Sequence, residues 1–452
     1  MCWFNGHLPF FNQLTDKEIS FTGDNFISFL GHLLLLTVVT GLMAGSYPAL
    51  YLSSFQPAQV LKGKFNVSSA SGYLRQGLVV FQFWIAIILV CGIFIISQQL
   101  KFMNEKNLGF NADAKIVLPI RTASAHNQFD ALKKELQSNS NVTAVSGANY
   151  VPGFQVWNDM MYYPDGGNMD KAVDIRRNSV DVGYIELMGI KLVAGRSFTD
   201  NRKLESNGKL ILNKTAVSKL GFTPEKIVGQ NLHFDWQGKR SDFQVIGVID
   251  DYHQNSLREE IKPLLFEMAD STKYYDHIVA NITPQNFEQT IKSIEQTWKK
   301  LVIDTPFEYS FVDQNIQKQY EEDKRVSKII TSFGMIAMAI CCLGLYGLSS
   351  YMAERRFKEI GIRKVMGASV RQIVGMMSKE FVKLVLIAFV IAVPVAWYSM
   401  SKWLEGFAFK ISISWIVFVV AGVFALAIAL VTVSFESIKS AMGNPVDSLR
   451  SE

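Results

Sequence analysis

Five stretches of this 452-residue chain are long and apolar enough to cross a lipid bilayer, at residues 26–51, 78–96, 329–351, 381–398 and 413–434. A crossing helix needs about 20 residues at roughly 1.5 Å rise each, and inside lipid it must satisfy its own backbone hydrogen bonds. The second and fifth windows contain no charged side chain. The fourth carries Lys383 near its start, where the amine can reach the headgroups, and Pro394 inside, which predicts a kink. Gly41 and Gly45 make one small-xxx-small pair, and Ala421, Ala425 and Ala429 continue the same spacing, which lets helices pack closely in lipid. These windows account for the 49% hydrophobic and 19% charged composition, which excludes a disordered chain and argues against a cytosolic enzyme.

The placement of charge gives an orientation. Residues 52–76 hold Lys62, Lys64 and Arg75 and no acid, and residues 352–380 hold seven bases against three acids. Basic loops face the cytoplasm, so both segments are expected inside. Five crossings then put the N-terminus and the long stretch between the second and third spans outside, and the C-terminus inside. The net charge of +5 is too small to point to nucleic acid.

This yields a multi-pass α-helical membrane protein with one extracytoplasmic domain. Its expected parts are an outer N-terminal flank (1–25), a first span (26–51), a cytoplasmic linker (52–77), a second span (78–96), an outer domain with stalks (97–328) and a C-terminal membrane region (329–452). The last divides into spans at 329–351, 381–398 and 413–434, a cytoplasmic segment at 352–380 and a tail at 435–452. Residues 57–61 resemble residues 445–449, each pair-member following a small-residue-rich span. The first span therefore reads as the end of one repeat and the remainder as a second, whole repeat.

Between residues 115 and 312 the pattern changes to short β runs and amphipathic helices, an α+β class. Strands are expected at 116–120, 142–148, 172–180, 243–249, 277–282 and 307–311. Phe287, Ile291, Ile294, Trp298 and Leu301 form one apolar helix face, with Pro284 suited to its first turn, and Phe129, Leu132 and Leu136 form another. The runs 98–106 and 314–328 read as helical stalks continuing the second and third spans. Asp250, Asp251 and His253 form the densest polar cluster, read as a capped strand end in preference to an acid–base or metal site. No catalytic, cofactor-binding or metal-ligating set is assigned. The four cysteines avoid the outer domain, which must fold without disulfides. Lys64, Lys209 and Lys239 each follow a glycine, but none completes a phosphate-binding GxxxxGK[ST] loop.

The segment 352–380 is more specific. Gly367 can end one helix, and Ser369 with Gln372 makes a capping box that starts the next. A charged helix–break–helix unit between two spans suits docking on a partner protein. The order Glu359, Gly361, Arg363, Lys364, Gly367, Ala368, Ser369 closely resembles the hallmark of the FtsX-like permease family of ABC transporters, which includes MacB-type and lipoprotein-releasing permeases. Leu108-Gly109-Phe110, Met188-Gly189-Ile190, Ala194-Gly195-Arg196 and the stretch from Val245 to His253 are similar to the MacB-type periplasmic core domain.

The resemblance implies that these seven residues form a coupling segment against an ABC ATPase subunit, which would carry the ATP and Mg. It implies a permease that drives export or extraction of a peptide, antibiotic or lipoprotein without being an enzyme itself, in a bacterial inner membrane. It also implies a tandem protein of which this chain is the C-terminal part, working with a second permease copy or N-terminal half and with a periplasmic partner. Two alternatives share much of this pattern: a signalling protein of the FtsX type acting on an outer partner, and a membrane-anchored outer enzyme.

Overall fold

The computed structural model describes Asn12 and residues 24–53 and 69–442. The paired segments at 57–61 and 445–449, most of the N-terminal flank, most of the 52–77 linker and the end of the tail lie outside the described residues. The chain divides into two compact bodies, one made of Met1–Gln98, Arg325–Lys402 and Ser412–Glu452, the other of Gln99–Lys324 with Trp403–Ile411.

Helix α1 (Asp24–Ser53) covers the first expected span. Its described apolar stretch, Ile27–Leu42, is shorter than the crossing helices that follow. Helix α2 (Ser69–Glu105) includes the second span and the first expected stalk in one uninterrupted element. Among the described residues it is the first of four helices long and apolar enough to cross a membrane.

The α+β body follows in sequence. Strand β1 (Lys115–Pro119) leads to helix α3 (Phe129–Gln137) and strand β2 (Val142–Ala148). The chain then leaves this layer for β3 (Asp159–Pro164), β4 (Val173–Ser179), β5 (Leu192–Gly195), β6 (Lys209–Asn213), β7 (Asn231–Trp236), β8 (Lys239–Ile249) and β9 (Leu264–Glu267). It returns through β10 (His277–Ile282), helix α4 (Phe287–Leu301), β11 (Ser310–Phe311) and helix α5 (Val312–Lys318). The first layer is an antiparallel sheet in the order β11-β1-β10-β2. Phe129, Leu132 and Leu136 of α3 and Ile291, Ile294 and Trp298 of α4 pack with Ile116, Leu118, Ile278 and Ala280 to form its core. The two helix faces are those expected from apolar spacing. Pro284 does not open α4, however, because Asn286 stands as its N-cap with φ +61° and the helix starts at Phe287.

The second layer is a seven-stranded sheet in the order β5-β8-β6-β9-β4-β3-β7, with β7 pairing back onto β8. This extra pairing closes a small barrel. Strand β8 makes it possible because its 11 residues are long enough for two sets of neighbours. Residues 239–244 pair with β7, and residues 244–249 pair with β6. Tyr162, Leu210, Leu212, Leu232, Val245 and Leu265 fill the interior. Gly195 is needed where β5 meets β8: its φ is +73°, and a Cβ there would lie 2.2 Å from the Ile246 carbonyl oxygen. Gly109 is equally constrained, since its Cβ would lie 2.7 Å from the Asp251 carbonyl oxygen.

The second expected stalk is not one helix. It breaks at Gln319 and Tyr320 between α5 and α6 (Glu321–Arg355). The Tyr320 hydroxyl accepts a hydrogen bond from the Leu257 amide at 3.0 Å, a tertiary contact that spacing along the chain could not show. Helix α7 (Phe357–Val365), helix α8 (Val370–Leu404) and helix α9 (Trp415–Met442) complete the described residues. Helix α8 continues through Pro394.

The helical core of the first body is built from Phe83, Ile87 and Cys91 of α2, Cys341 and Leu345 of α6, and two alanine ladders. Ala388, Ala392 and Ala396 of α8 and Ala421, Ala425 and Ala429 of α9 are all buried in it. Small side chains let helix backbones approach, which lipid-embedded packing rewards because no hydrophobic force separates helix from tail. Phe389 lies over Gly422, where an added Cβ would meet its ring at 2.6 Å.

Candidate functional site: a surface helix between two membrane helices

The segment carrying the family-like motif folds as two breaks around a nine-residue helix, α7. The sequence foretold the second break. Gly367 adopts φ +92°, and the Ala368 amide donates to the Arg363 carbonyl at 2.9 Å, closing the helix end. The Ser369 amide donates to Gln372 Oε1 at 3.0 Å, and the Gln372 amide donates to Ser369 Oγ at 3.3 Å, which is the reciprocal capping box. The first break, at Arg356, had no such signal, because arginine is a good helix former. It is set by tertiary contacts: Arg356 pairs with Glu380 of α8 at 2.6 Å, and Ile360 is buried with Ala353, Ile373 and Met377.

The seven motif residues fall into three groups by exposure. Gly361 is buried beside Ile360, whereas Glu359 and Arg363 are exposed and pair with each other at 2.7 Å. Arg363 also reaches Met376 Sδ on α8. Lys364 and Ala368 are half-buried, and Gly367 and Ser369 are exposed at the turn. The same helix also presents Ile362, Val365 and Met366, which are 55%, 64% and 83% exposed. Three exposed apolar side chains beside Arg363 make a mixed apolar and basic face. This apolar face was not singled out from the sequence, although the spacing of 362, 365 and 366 among charged residues is a legible helical stripe.

A second feature lies in the α+β body. A cleft of ≈ 710 Å³ is lined by Pro119, Arg121, Phe154, His277, Tyr309 and Gln319, among others. Arg121 and Glu308 pair at 2.7 Å on its wall. His277 Nδ1 donates to the Asn149 carbonyl at 2.9 Å. Burial holds the ring below the usual histidine range, despite the hydrogen bond to Asn149. Gln319 Nε2 donates to the Gly153 carbonyl at 2.8 Å, while its Oε1 is buried with no hydrogen-bond partner.

The polar cluster after β8 disperses. Asp250 pairs with Lys214 at 2.9 Å, a hydrogen bond that holds its carboxyl below the usual range. Asp251 accepts from the Thr215 amide at 3.0 Å and from the Thr215 hydroxyl at 2.9 Å. His253 is buried against the ring of Phe409, with centroids 4.6 Å apart. The three side chains serve three different contacts and share no substrate space. Among the described residues, no group of three or more His, Cys, Asp or Glu could hold a metal ion.

Burial, helped by the nearby Lys106 charge, lowers the His253 pKa from 6.5 to about 4. The folded state therefore resists a proton that the unfolded chain takes up. Its contribution to stability is complete above pH 6.5 and is lost as the pH falls towards 4. The thermal midpoint is expected to drop across that window, and His253→Gln to flatten the drop. Equal slopes for wild type and variant would contradict this.

The model of the FtsX-like permease C-terminal family matches residues 331–445, and that of the MacB-like periplasmic core domain matches residues 78–296. The ABC transporter permease YknZ of Bacillus subtilis is 23% identical over 63% of this chain and 72% of its own length. The ABC transporter permease YvrN of the same organism is 25% identical over 60% of this chain and 69% of its own. The macrolide export ATP-binding/permease protein MacB of Aggregatibacter actinomycetemcomitans is 25% identical over 46% of this chain, which spans 32% of that protein. With four membrane-length helices among the described residues, an α+β body between the first and second of them and the surface helix α7 between the second and third, the chain belongs to the ABC transporter permeases that join an FtsX-like permease region to a MacB-like periplasmic core domain.

Proposed function

We infer that this permease couples ATP hydrolysis by a separate ABC ATPase to export or extraction of a substrate outside the membrane, by transmitting motion and without threading the substrate through a pore. The observation that carries this reading is the face of α7. Ile362, Val365 and Met366 stand exposed around Arg363 on a helix whose other side is anchored by Ile360. Surfaces of this composition bind proteins, because apolar anchors supply affinity while flanking charges set orientation. Glu359, Gly361, Arg363, Lys364, Gly367, Ala368 and Ser369 shape and orient that face. ATP and Mg belong to the partner.

The cytoplasmic position of α7 follows from its bases, with five spans, the N-terminus outside, the C-terminus inside and a bacterial inner membrane as the setting. The cleft beside His277 supports the transport reading, since its volume is in the range of about 300–1,000 Å³ typical of ligand sites. Its mixed charges and aromatic walls suit a peptide, an antibiotic or the peptide part of a lipoprotein.

The test is a double charge reversal, Arg363→Glu with Lys364→Glu, in the permease–ATPase complex. Stimulation of ATP hydrolysis by the permease is expected to fall at least about tenfold, with the basal turnover of the ATPase alone unaffected. Stimulation equal to that of the wild type would sink the assignment.

A further inference from the structure

The segment Trp403–Ile411, which joins α8 to α9, belongs to the α+β body and not to the helical one. Short polar connections between membrane helices are normally free surface loops. This one is held at both its backbone and its side chains. The Ala408 amide donates to the Arg258 carbonyl and the Phe409 amide to the Leu257 carbonyl, both at 3.1 Å. On its other side stands Gln99 of α2, which is fully buried. Gln99 Nε2 donates to the Phe409 carbonyl at 3.0 Å, and Gln99 Oε1 accepts from the Ile411 amide at 3.0 Å. The side-chain amide thus acts as a one-residue strand, satisfying a donor and an acceptor of the segment together.

Side chains complete the seat. Phe409 packs edge-on against His253, with Lys106 Nζ 5.0 Å from its ring centre. Phe407 is 2% exposed and receives the Arg258 guanidinium at 4.3 Å. Arg258 is itself fixed by the buried Asp323 carboxylate at the start of α6. The Leu257 amide beside it is held by Tyr320. One network therefore gathers the outer end of α2, the start of α6 and the connection between α8 and α9.

We propose that Trp403–Ile411 is a permanently seated part of the extracytoplasmic domain, and that Gln99 is the positioning residue that seats it, so that displacement of α8 and α9 is delivered to that domain along with displacement of α2 and α6. The consequence for coupling rests on the permease reading above; the seating does not. A buried amide making two hydrogen bonds to one segment costs desolvation unless both persist, which favours a seat that stays occupied over one that opens.

Two measurements on the full chain in lipid nanodiscs test this. Hydrogen exchange read by mass spectrometry should find the amides of Ala408, Phe409 and Ile411 protected in the wild type. Gln99→Leu should speed exchange at Ile411 by about tenfold, the worth of one lost hydrogen bond. Exchange at loop rates in the wild type, or unchanged protection in Gln99→Leu, overturns the seating.

In the complex with its ATPase, a disulfide between Leu257→Cys and Phe409→Cys should leave permease-stimulated ATP hydrolysis within about twofold of the reduced form. Gln99→Leu should lower that stimulation although the permease still unfolds in one cooperative transition. Loss of activity on cross-linking would show that the segment must detach, and would overturn the permanent seat. If no permease-dependent hydrolysis exists at all, the transporter reading fails, and the exchange result still decides the seating.

Discussion

Replacing Asp181 with alanine should destabilise the extracytoplasmic domain by about 3–5 kcal/mol, the cost of removing the buried partner from an ion-paired network. Asp181 is 1% exposed and accepts from Lys133 Nζ of α3 at 2.7 Å on one oxygen, with Arg202 on the other. Its backbone carbonyl lies 3.3 Å from the Ser146 hydroxyl of β2. Arg202 Nη1 donates further, to the Ala269 carbonyl and the Tyr275 hydroxyl, both at 2.9 Å. The carboxylate thus pins the barrel to the four-stranded layer. Alanine would leave Lys133 and Arg202 facing each other with no anion between them. Asp181→Asn keeps two acceptor or donor sites in place and should recover part of the loss, because the shape and one hydrogen bond survive. Chemical denaturation of the purified permease reads the difference, and a midpoint for Asp181→Ala equal to that of the wild type would remove the residue from this role.

The second large effect concerns assembly and not stability. Val365→Asp with Met366→Asp should weaken binding of the ATPase by about 2–4 kcal/mol, roughly 30- to 1,000-fold. Both side chains are exposed in the isolated chain, at 64% and 83%, so charging them leaves the fold intact. Desolvating two carboxylates in an apolar contact is what the complex cannot tolerate. Co-purification of permease and ATPase from membranes, at matched expression and thermal midpoint, provides the measurement. Undiminished co-purification would place the interface elsewhere, even if the charge reversal at Arg363 and Lys364 uncouples.

How much of this could be read from residues alone follows a physical rule. Local devices were legible. The break at Gly367, the capping box of Ser369 and Gln372, and the apolar faces of α3 and α4 each depend on neighbours within four positions. Strands β2 and β10 matched their expected limits, because their apolar runs end where the strands end.

Features owed to distant partners were not legible. β8 was expected only from residue 243, since Lys239, Arg240, Ser241 and Asp242 show no apolar alternation and pair with β7 on an exposed edge. The short strands β3, β6, β7 and β9 went unread because closure of the barrel specifies them, and β5 because its pairing with β8 does. The stalk break at Gln319 answers to Leu257, and the break at Arg356 answers to Glu380. Gln99 meets Phe409 across 310 residues of sequence, a distance over which periodicity carries no signal. Spans are the opposite case, because lipid imposes the requirement on every residue of the window at once.

The route of the chain through the extracytoplasmic domain has a consequence for biogenesis. β2 ends at Ala148, which lies opposite His277, the first residue of β10. The stretch between them carries all the strands of the barrel sheet. During export the first layer can complete neither β1 nor β2, because both pair with β10, which emerges only after the barrel has crossed. The barrel is therefore the first unit able to fold, and the four-stranded layer waits for it while α2 is already in lipid. The same adjacency makes the barrel an insertion in the strict sense: a tight turn joining residue 148 to residue 277 would turn β2 and β10 into a plain hairpin and leave the four-stranded layer with its order unchanged.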